Sequence, residues 1–573
     1  MQITYGQVSD TSLSPDEILS HILKQRGIID IKTFLQPEDP TSFSLTALGF
    51  EKELHTLFDL LTNIKKEKKT VVVYTDYDTD GITGGAILWE TLHLLGFTVF
   101  PYVPHRHTEG YGFSTKGIDA VIAKYHPALI VSVDHGISAR EQIAYAVGKG
   151  VAVVVTDHHT KPPLLPDAAV VIIHCPLVSG SSLAYITALD VWRHFDPQNK
   201  ELEELFHVDL LALAALGTIA DLVPLVGYAR SIAKYGLGAF FAAKKPGIQE
   251  LLKVAGLSHT AISTYHAGFA LAPRLNAVGR LSHAIEALRM LCTRDPQKAT
   301  YLAAQANMFN LTRQKMVEKA VEEALLLVNR EQLQPIIVVR NESWNEGIIG
   351  LISSKLSEKY NRPSIVLTKS GDTWKGSARS IKGVDITAFL RSLGVLAHVG
   401  GHPQAAGFSF VESKLDVFLS LVGEKGRDVP LLEKTLFVDL QLPLNSFTEK
   451  AAKMIAQMEP FGVGNPTPLF ASNVVVRTVQ TLGKEGKHLK LFVNDKNSPS
   501  ALPFECVYFS PPDEMRNMMR IGQEITIIFS LEMNAWNGRE KVQGKIKTIS
   551  QSTSSNHYEN TELLHPSIPS RGE

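Results

Sequence analysis

The residues best placed to do chemistry are acidic. In VVVYTDYDTDGITGGAIL an apolar, β-branched run leads straight into Asp76, Asp78 and Asp80, followed by Gly81. Two more apolar runs end the same way: ALIVSV stops at Asp134, and VAVVVT stops at Asp157, His158 and His159. A fourth candidate, Asp221, follows the apolar stretch DLLALAALGTIA. A lone Asp at a strand end usually caps a helix or turns in solvent. Several carboxylates gathered at one rim, however, repel one another and raise each other's pKa unless cations neutralise them. Oxygen ligands with one or two imidazoles and no thiolate suit manganese or magnesium rather than structural zinc. Asp76, Asp78, Asp80 and Gly81 also match the opening of an EF-hand calcium loop, but its twelfth position is Ile87 instead of Glu and a strand precedes it, so that motif is rejected.

The elements that must hold these side chains follow a βαβ pattern. Between residues 71 and 173, short apolar runs (VVVYT, TVFPYV, ALIVSVD, VAVVVTD, AAVVIIH) alternate with amphipathic stretches at 115–125 and 139–149, the mark of a parallel sheet covered by helices. Such sheets bind ligands at the carboxyl ends of their strands, where the acids stand. The spacing predicts an α/β fold class: a parallel-sheet domain over 49–284, a long connecting helix over 285–330, a smaller α/β lobe over 331–430 and a small all-β barrel over 431–550. The first 48 residues read as a helical cap, and the polar tail 551–573 is too poor in apolar residues to pack and reads as disordered.

A chain of 573 residues, 44% hydrophobic and 20% charged, has enough core for three or four domains. Its three cysteines, Cys175, Cys292 and Cys506, form neither a CxxC knuckle nor a disulfide framework, which favours a reducing interior. No cationic-then-apolar leader opens the sequence and no apolar run is long enough to span a bilayer, so a cytoplasmic protein without membrane contact is expected. A net charge of -1 predicts no nucleic-acid binding by itself; any basic groove must be a local arrangement.

Taken in order, DYDTDG, VDHG (133–136), the triplet Asp157-His158-His159 and GTIADLVPL (217–225) resemble the four-motif signature of the DHH phosphoesterases. The similarity continues through PHRHTEGYG (104–112), LAPRLNAVGRL (271–281), GSARSI (376–381) and GGHPQAAGFS (400–409). It reaches PFGVGNPTPLF (460–470) and NAWNGREKVQ (534–543), which resemble the oligonucleotide-binding (OB) barrel of the RecJ family of bacterial single-strand DNA exonucleases. Roughly residues 10 to 550 are covered, and the barrel separates the chain from shorter DHH enzymes that cleave oligoribonucleotides or cyclic dinucleotides.

The resemblance implies a DHH domain, a DHH-associated domain and an OB-type barrel, with Asp76, Asp78, Asp80, Asp134, His158 and Asp221 as ligands of two Mn²⁺ or Mg²⁺ ions. It places Asp78, Asp134 and His159 at the reacting phosphate, His159 hydrogen-bonding an oxygen whose charge grows during attack. Arg106, Arg280, Ser377 and Arg379 would hold the DNA end, since guanidinium forks pair bidentately with phosphate, and the backbone at Gly400, Gly401 and His402 would approach it. In the barrel, Trp536 with Lys484, Lys487, His488 and Lys490 would stack bases and follow the strand. The implied activity is two-metal hydrolysis of single-stranded DNA from 5′ to 3′, releasing 5′ mononucleotides in DNA repair and recombination. A monomer working with single-strand binding protein and a helicase is implied as well. A small-nucleotide phosphodiesterase and a non-catalytic single-strand-binding scaffold are the competing readings. Three places depart from the family pattern: Asn345 stands where relatives often have His, Tyr74 where some have a histidine ligand, and 172–192 lacks the usual Asn-Pro turn.

Overall fold

The computed structural model describes residues 2–551 apart from 107, 330, 484, 485, 499, 501, 537 and 538. Two compact units make up the chain, one of residues 39–434 and one combining the N-terminal 38 residues with those from 435 onward.

The first unit is organised on a five-stranded parallel sheet in the spatial order Thr98–Tyr102, Thr70–Thr75, Leu129–Val133, Ala152–Asp157, Val171–His174. Its central strands are buried on both faces, which is why they read as continuous β-branched runs rather than as alternating patterns. Val71 and Val73 pack under the helices Thr79–Leu94, Gly180–Phe195 and Asp209–Ala220, while Val72 and Tyr74 face Thr115–Tyr125 and Arg140–Gly148. The chain leaves Thr70–Thr75 toward one edge and returns to its other side at Leu129–Val133, so the topological switch point opens between these two strands. Ligand crevices form at such a point. Register then does the rest: Thr75 lies opposite Val133 and Val133 opposite Thr156, so Asp76, Asp134 and Asp157 emerge side by side.

The helical region expected over 285–330 is two helices, Ile285–Cys292 and Pro296–Leu327. The break falls where Asp295 caps the second helix through Gln297 N and Lys298 N, with Pro296 at its first position. At 32 residues the second helix extends about 48 Å. It leads into a five-stranded mixed sheet ordered His398–His402, Ala405–Val411, Thr373–Arg379, Ser364–Ser370, Ile337–Arg340, only the last pair being parallel.

In the second unit, Phe470–Leu482, His488–Asp495, Phe504–Tyr508, Arg539–Gln551 and Glu524–Trp536 pair in succession, and the last pairs back with the first, closing a five-stranded barrel. The N-terminal segment differs from a purely helical cap. Gln2–Val8 is a strand, parallel to Thr435–Gln441 at the margin of the barrel sheet. The next helix, Pro15–Gln25, starts with a Ser14/Glu17 capping box and buries Ile18, Ile22 and Leu23 in one core with Leu440, Phe470 and Phe529. The polar tail expected to be disordered lies outside the described residues. No helix among the described residues is long and apolar enough to cross a membrane.

Candidate metal centre

Strand ends, helix ends and one tight turn bring the acidic residues together. Asp78 caps the helix Thr79–Leu94, accepting from Asp80 N at 2.9 Å and Gly81 N at 3.2 Å. Asp80, two residues on in the first turn, is buried and accepts from Gly180 N (2.7 Å) and Ser181 N (2.9 Å), the first donors of the helix Gly180–Phe195. That helix start therefore supplies fixed positive dipole beneath the acids. It approaches so closely that a Cβ on Gly180 would lie 2.5 Å from Asp134 Cβ, a contact real side chains do not tolerate. Asp134 adopts the left-handed region (φ 68°), directing its carboxylate away from the strand path. Asp221 sits at the carboxyl end of Asp209–Ala220, where the helix dipole opposes a negative charge. A carboxylate held there is misplaced for stability, and points to a site requirement.

His158 Nε2 joins the group, 3.1 Å from Asp134 Oδ1, 3.5 Å from Asp221 Oδ2 and 3.8 Å from Asp80 Oδ2. Three overlapping triads have ligand atoms within 4.8 Å of one another: Asp76, Asp78 and Asp134; Asp80, His158 and Asp221; and Asp134, His158 and His159. The buried atoms Asp76 Oδ1, Asp134 Oδ1 and His158 Nε2 make no hydrogen bond among the described residues. Buried polar atoms left unmatched in this way are costly, and here they converge. This donor set of carboxylate oxygens plus imidazole fits hard divalent cations, and its extent accommodates two.

Electrostatics agree. Burial, with Asp78 next to it, pushes the Asp76 carboxyl well above its usual range, and burial with the Asp80 charge raises Asp78 and Asp134 too. Asp221 is pushed up to about 9, by burial and then by Asp80. Burial lowers His158, keeping its lone pair free. Burial also acts downward on His159, but its 2.8 Å hydrogen bond from Nδ1 to Asp157 Oδ1 and the charge there win, raising it to about 9. Asp157 is the orienting group. Despite burial it is held well below the carboxylate range by His159 and by backbone donors including Ile137 N at 2.8 Å. The sequence grouped Asp157 with the candidate ligands at strand ends; its oxygens are instead spent on the backbone and on His159.

The implied phosphate-binding residues also converge. Arg280 Nη1 donates to Gly347 O at 2.7 Å, and burial together with the charges of Arg106, Arg313 and Arg379 pulls its pKa down to about 9. Four guanidiniums this close repel one another until an anion arrives. Arg379 donates to Ser377 Oγ at 3.2 Å, Arg106 lies 4.9 Å from the Tyr77 ring centre, and Arg313 comes from the long helix. Gly400, Gly401 and His402 form a strand hairpinned to Ala405–Val411, and the His402 ring stacks on His159 with centroids 5.9 Å apart. Asn345 accepts from Gly347 N at 2.8 Å, and the buried Tyr74 donates to Gly112 O at 3.3 Å, so its hydroxyl is engaged in the core.

Arg313, Tyr77 and Tyr111 escaped the sequence reading. Tyr111 lies within PHRHTEGYG, whereas Arg313 has no local signal at all. On the barrel, Lys490 and Lys541 lie over the Phe492 ring (5.4 and 5.9 Å) and both pair with Glu505, so Phe492 was missed there too. His488 opens the strand carrying Lys490, directly after Lys487, and its Nδ1 accepts from Ser510 N at 3.1 Å. Lys484 and the Trp536 side chain lie outside the described residues.

Models of three families match this chain: the DHH family N-terminal domain over residues 70–218, the DHHA1 domain over 333–426 and the RecJ OB domain over 438–548. The single-stranded-DNA-specific exonuclease RecJ of Bacillus subtilis is 34% identical over 92% of this chain and 67% of its own length. That of Escherichia coli is 32% identical over 87% of this chain and 90% of its own. Among solved structures, RecJ from Thermus thermophilus in complex with Mn²⁺ superposes with a TM-score of 0.79 at 25% identity, covering 96% of this chain and 80% of that one.

Proposed function

The chain belongs to the RecJ family of single-stranded-DNA-specific exonucleases, and from that premise we propose that it hydrolyses single-stranded DNA from the 5′ end, releasing 5′ mononucleotides in DNA repair and recombination. The convergence of three unmatched buried ligand atoms, on Asp76, Asp134 and His158, carries the reading. The overlapping triads would hold two Mn²⁺ or Mg²⁺ ions, which would supply an activated water and neutralise the phosphate oxygens. Support for these metals comes from the Thermus relatives solved with Mn²⁺ and with Mg²⁺.

In this reading Asp76, Asp78, Asp80, Asp134, His158 and Asp221 are the ligand pool. Asp157 fixes His159 so that Nε2 faces the scissile phosphate and donates to the oxygen that gains charge. Arg106, Arg280, Arg379 and Ser377 hold the phosphate of the terminal nucleotide, which sets the polarity. His402, stacked on His159, closes that side of the cleft. The barrel binds the trailing strand. A single-strand binding protein and a helicase would supply that strand, and the enzyme would act as a monomer in the cytoplasm.

The test is degradation of 5′- and 3′-labelled single strands with Mn²⁺ or with EDTA. Release of labelled mononucleotide first from the 5′-labelled strand, only with metal, is expected. Activity retained by both Asp134→Ala and His158→Ala would remove the proposed centre.

A further inference from the structure

After Asp157 the chain leaves its strand for a loop, 158–170, that contains neither helix nor strand, and no residue from 160 to 165 is buried. His158 and His159 would move with that loop unless the turn that carries them were pinned. Its donors are met from within: Asp157 Oδ1 accepts from His158 N at 2.7 Å and from His159 N at 3.0 Å. Its acceptors are met from the neighbouring edge strand, Val171–His174. Asp157 lies opposite His174 in register, Cys175 N donates to Asp157 O at 3.1 Å, and His174 Nε2 lies 2.5 Å from His159 O. A carbonyl only accepts, so Nε2 carries the proton of this bond. The other nitrogen, Nδ1, is buried and makes no hydrogen bond among the described residues. An imidazole with one nitrogen unmatched stabilises a core less than an apolar ring would, so packing does not account for His174, whereas the bond from Nε2 does. The residue falls in the stretch 172–192 that lacks the family's Asn-Pro turn, where this chain has His174-Cys175-Pro176.

We propose that His174 is a positioning residue for the hydrolytic step: its bond to His159 O pins the main chain of the turn and thereby holds the His159 imidazole at the scissile phosphate. This rests on the exonuclease reading above. Asp157 and His174 do different work on the same ring. The Asp157 carboxylate sets how the His159 ring is turned, through Nδ1, but it belongs to the same turn and moves with it. His174 stands on a separate strand, tied into the sheet through its pairing with Ala152–Asp157, so its bond fixes where the turn stands relative to the sheet and to the acids at its rim. Position is what the reaction is sensitive to, since a misplacement of about 1 Å costs a reacting group on the order of 100-fold.

Two measurements on the full chain test this with His174→Ala, His174→Gln and His174→Asn. Glutamine carries its amide nitrogen as many bonds from Cβ as Nε2 stands in histidine, whereas the amide nitrogen of asparagine stops one bond short. In metal-free protein the backbone amides between 158 and 165 should exchange about tenfold faster in His174→Ala and His174→Asn, the worth of one net hydrogen bond, and close to the parent rate in His174→Gln. With Mn²⁺ and single-stranded DNA, kcat should fall about 10- to 100-fold in the Ala and Asn variants at unchanged KM, and Gln should recover most of it. Exchange at the parent rate in His174→Ala, a Gln variant no better than Asn in either measurement, or a loss that falls on KM with kcat intact overturns the inference. If His174→Ala does not fold, the comparison of Gln with Asn decides. A parent protein that cuts no strand overturns the exonuclease reading and with it the role in hydrolysis, while the exchange rates still decide whether His174 pins the turn.

Discussion

His158 Nε2 lies 3.1 Å from Asp134 Oδ1, both buried, and neither makes a hydrogen bond among the described residues. Two acceptors facing each other at that distance need a proton or a cation between them. In metal-free protein a proton serves, because burial and neighbouring carboxylates hold Asp134 well above its usual range. Divalent metal must therefore displace protons on binding. Titrating Mn²⁺ at pH 7 in two buffers of different ionisation enthalpy should give different apparent heats, the difference reporting at least about one proton released per protein. Equal heats in the two buffers would contradict the protonated apo site.

The same groups set how metal-free stability varies with pH. Asp221, raised to about 9, keeps its proton in the folded state between about pH 4 and 9 while the unfolded chain has lost it. The folded state then binds more protons, so stability falls as pH rises across that window. His159, raised to about 9, acts in the same direction: its stabilising pair with Asp157 is complete below about pH 6.5 and is lost as pH passes 9. In EDTA the melting temperature should be lower at pH 9 than at pH 6, and Mg²⁺ should flatten the difference. A melting temperature that climbs from pH 6 to pH 9 in EDTA would show that these groups are not protonated in the fold.

Asp157 touches His159 through one short hydrogen bond and otherwise bonds backbone, so its removal should spare metal binding and injure the reaction. Asp157→Asn is expected to lower kcat by about 10- to 100-fold with little change in KM, the usual cost of losing an orienting partner. A rise in KM at constant kcat would assign Asp157 to strand binding.

The parallel sheet and the acidic cluster at its rim were legible because the three central strands are almost wholly buried and run abruptly into an acid, a pattern that survives without any tertiary knowledge. What stayed hidden depended on approach between distant segments. Asp80 is satisfied by Gly180 and Ser181, 100 and 101 residues away, and nothing near DYDTDG announces this. Arg313 sits on a helix whose pattern encodes only its packing. Gln2–Val8 alternates weakly and finds its partner strand at Thr435–Gln441, far along the chain, so its strand character is tertiary.

Arg313, the residue with no sequence signal, is expected to contribute to strand binding mainly through charge. In an Asp134→Asn background, expected to prevent cutting, Arg313→Ala should weaken single-strand binding and reduce the slope of log affinity against log salt by about 0.7, the value for one phosphate contact on a single strand. Fluorescence anisotropy across a salt series reads this directly. A slope equal to that of the parent protein would place Arg313 outside the strand path.

Arg26 and Asp439 tie the N-terminal segment to the barrel unit: their side chains are each only 7% exposed, Nη2 and Oδ1 are 3.3 Å apart, and Asp439 Oδ2 also accepts from Leu469 N. Truncating one member of such a buried pair leaves an unpaired charge without water, at about 3–5 kcal/mol. Arg26→Ala should therefore accelerate hydrogen exchange of the barrel strands, while residues 39–434, a separate unit, keep their protection. Replacing both members together, Arg26→Met with Asp439→Leu, removes the buried charge and should restore much of the protection. If Arg26→Ala leaves barrel exchange unchanged, the N-terminal segment is a passive addition to the sheet margin rather than part of what holds the barrel closed.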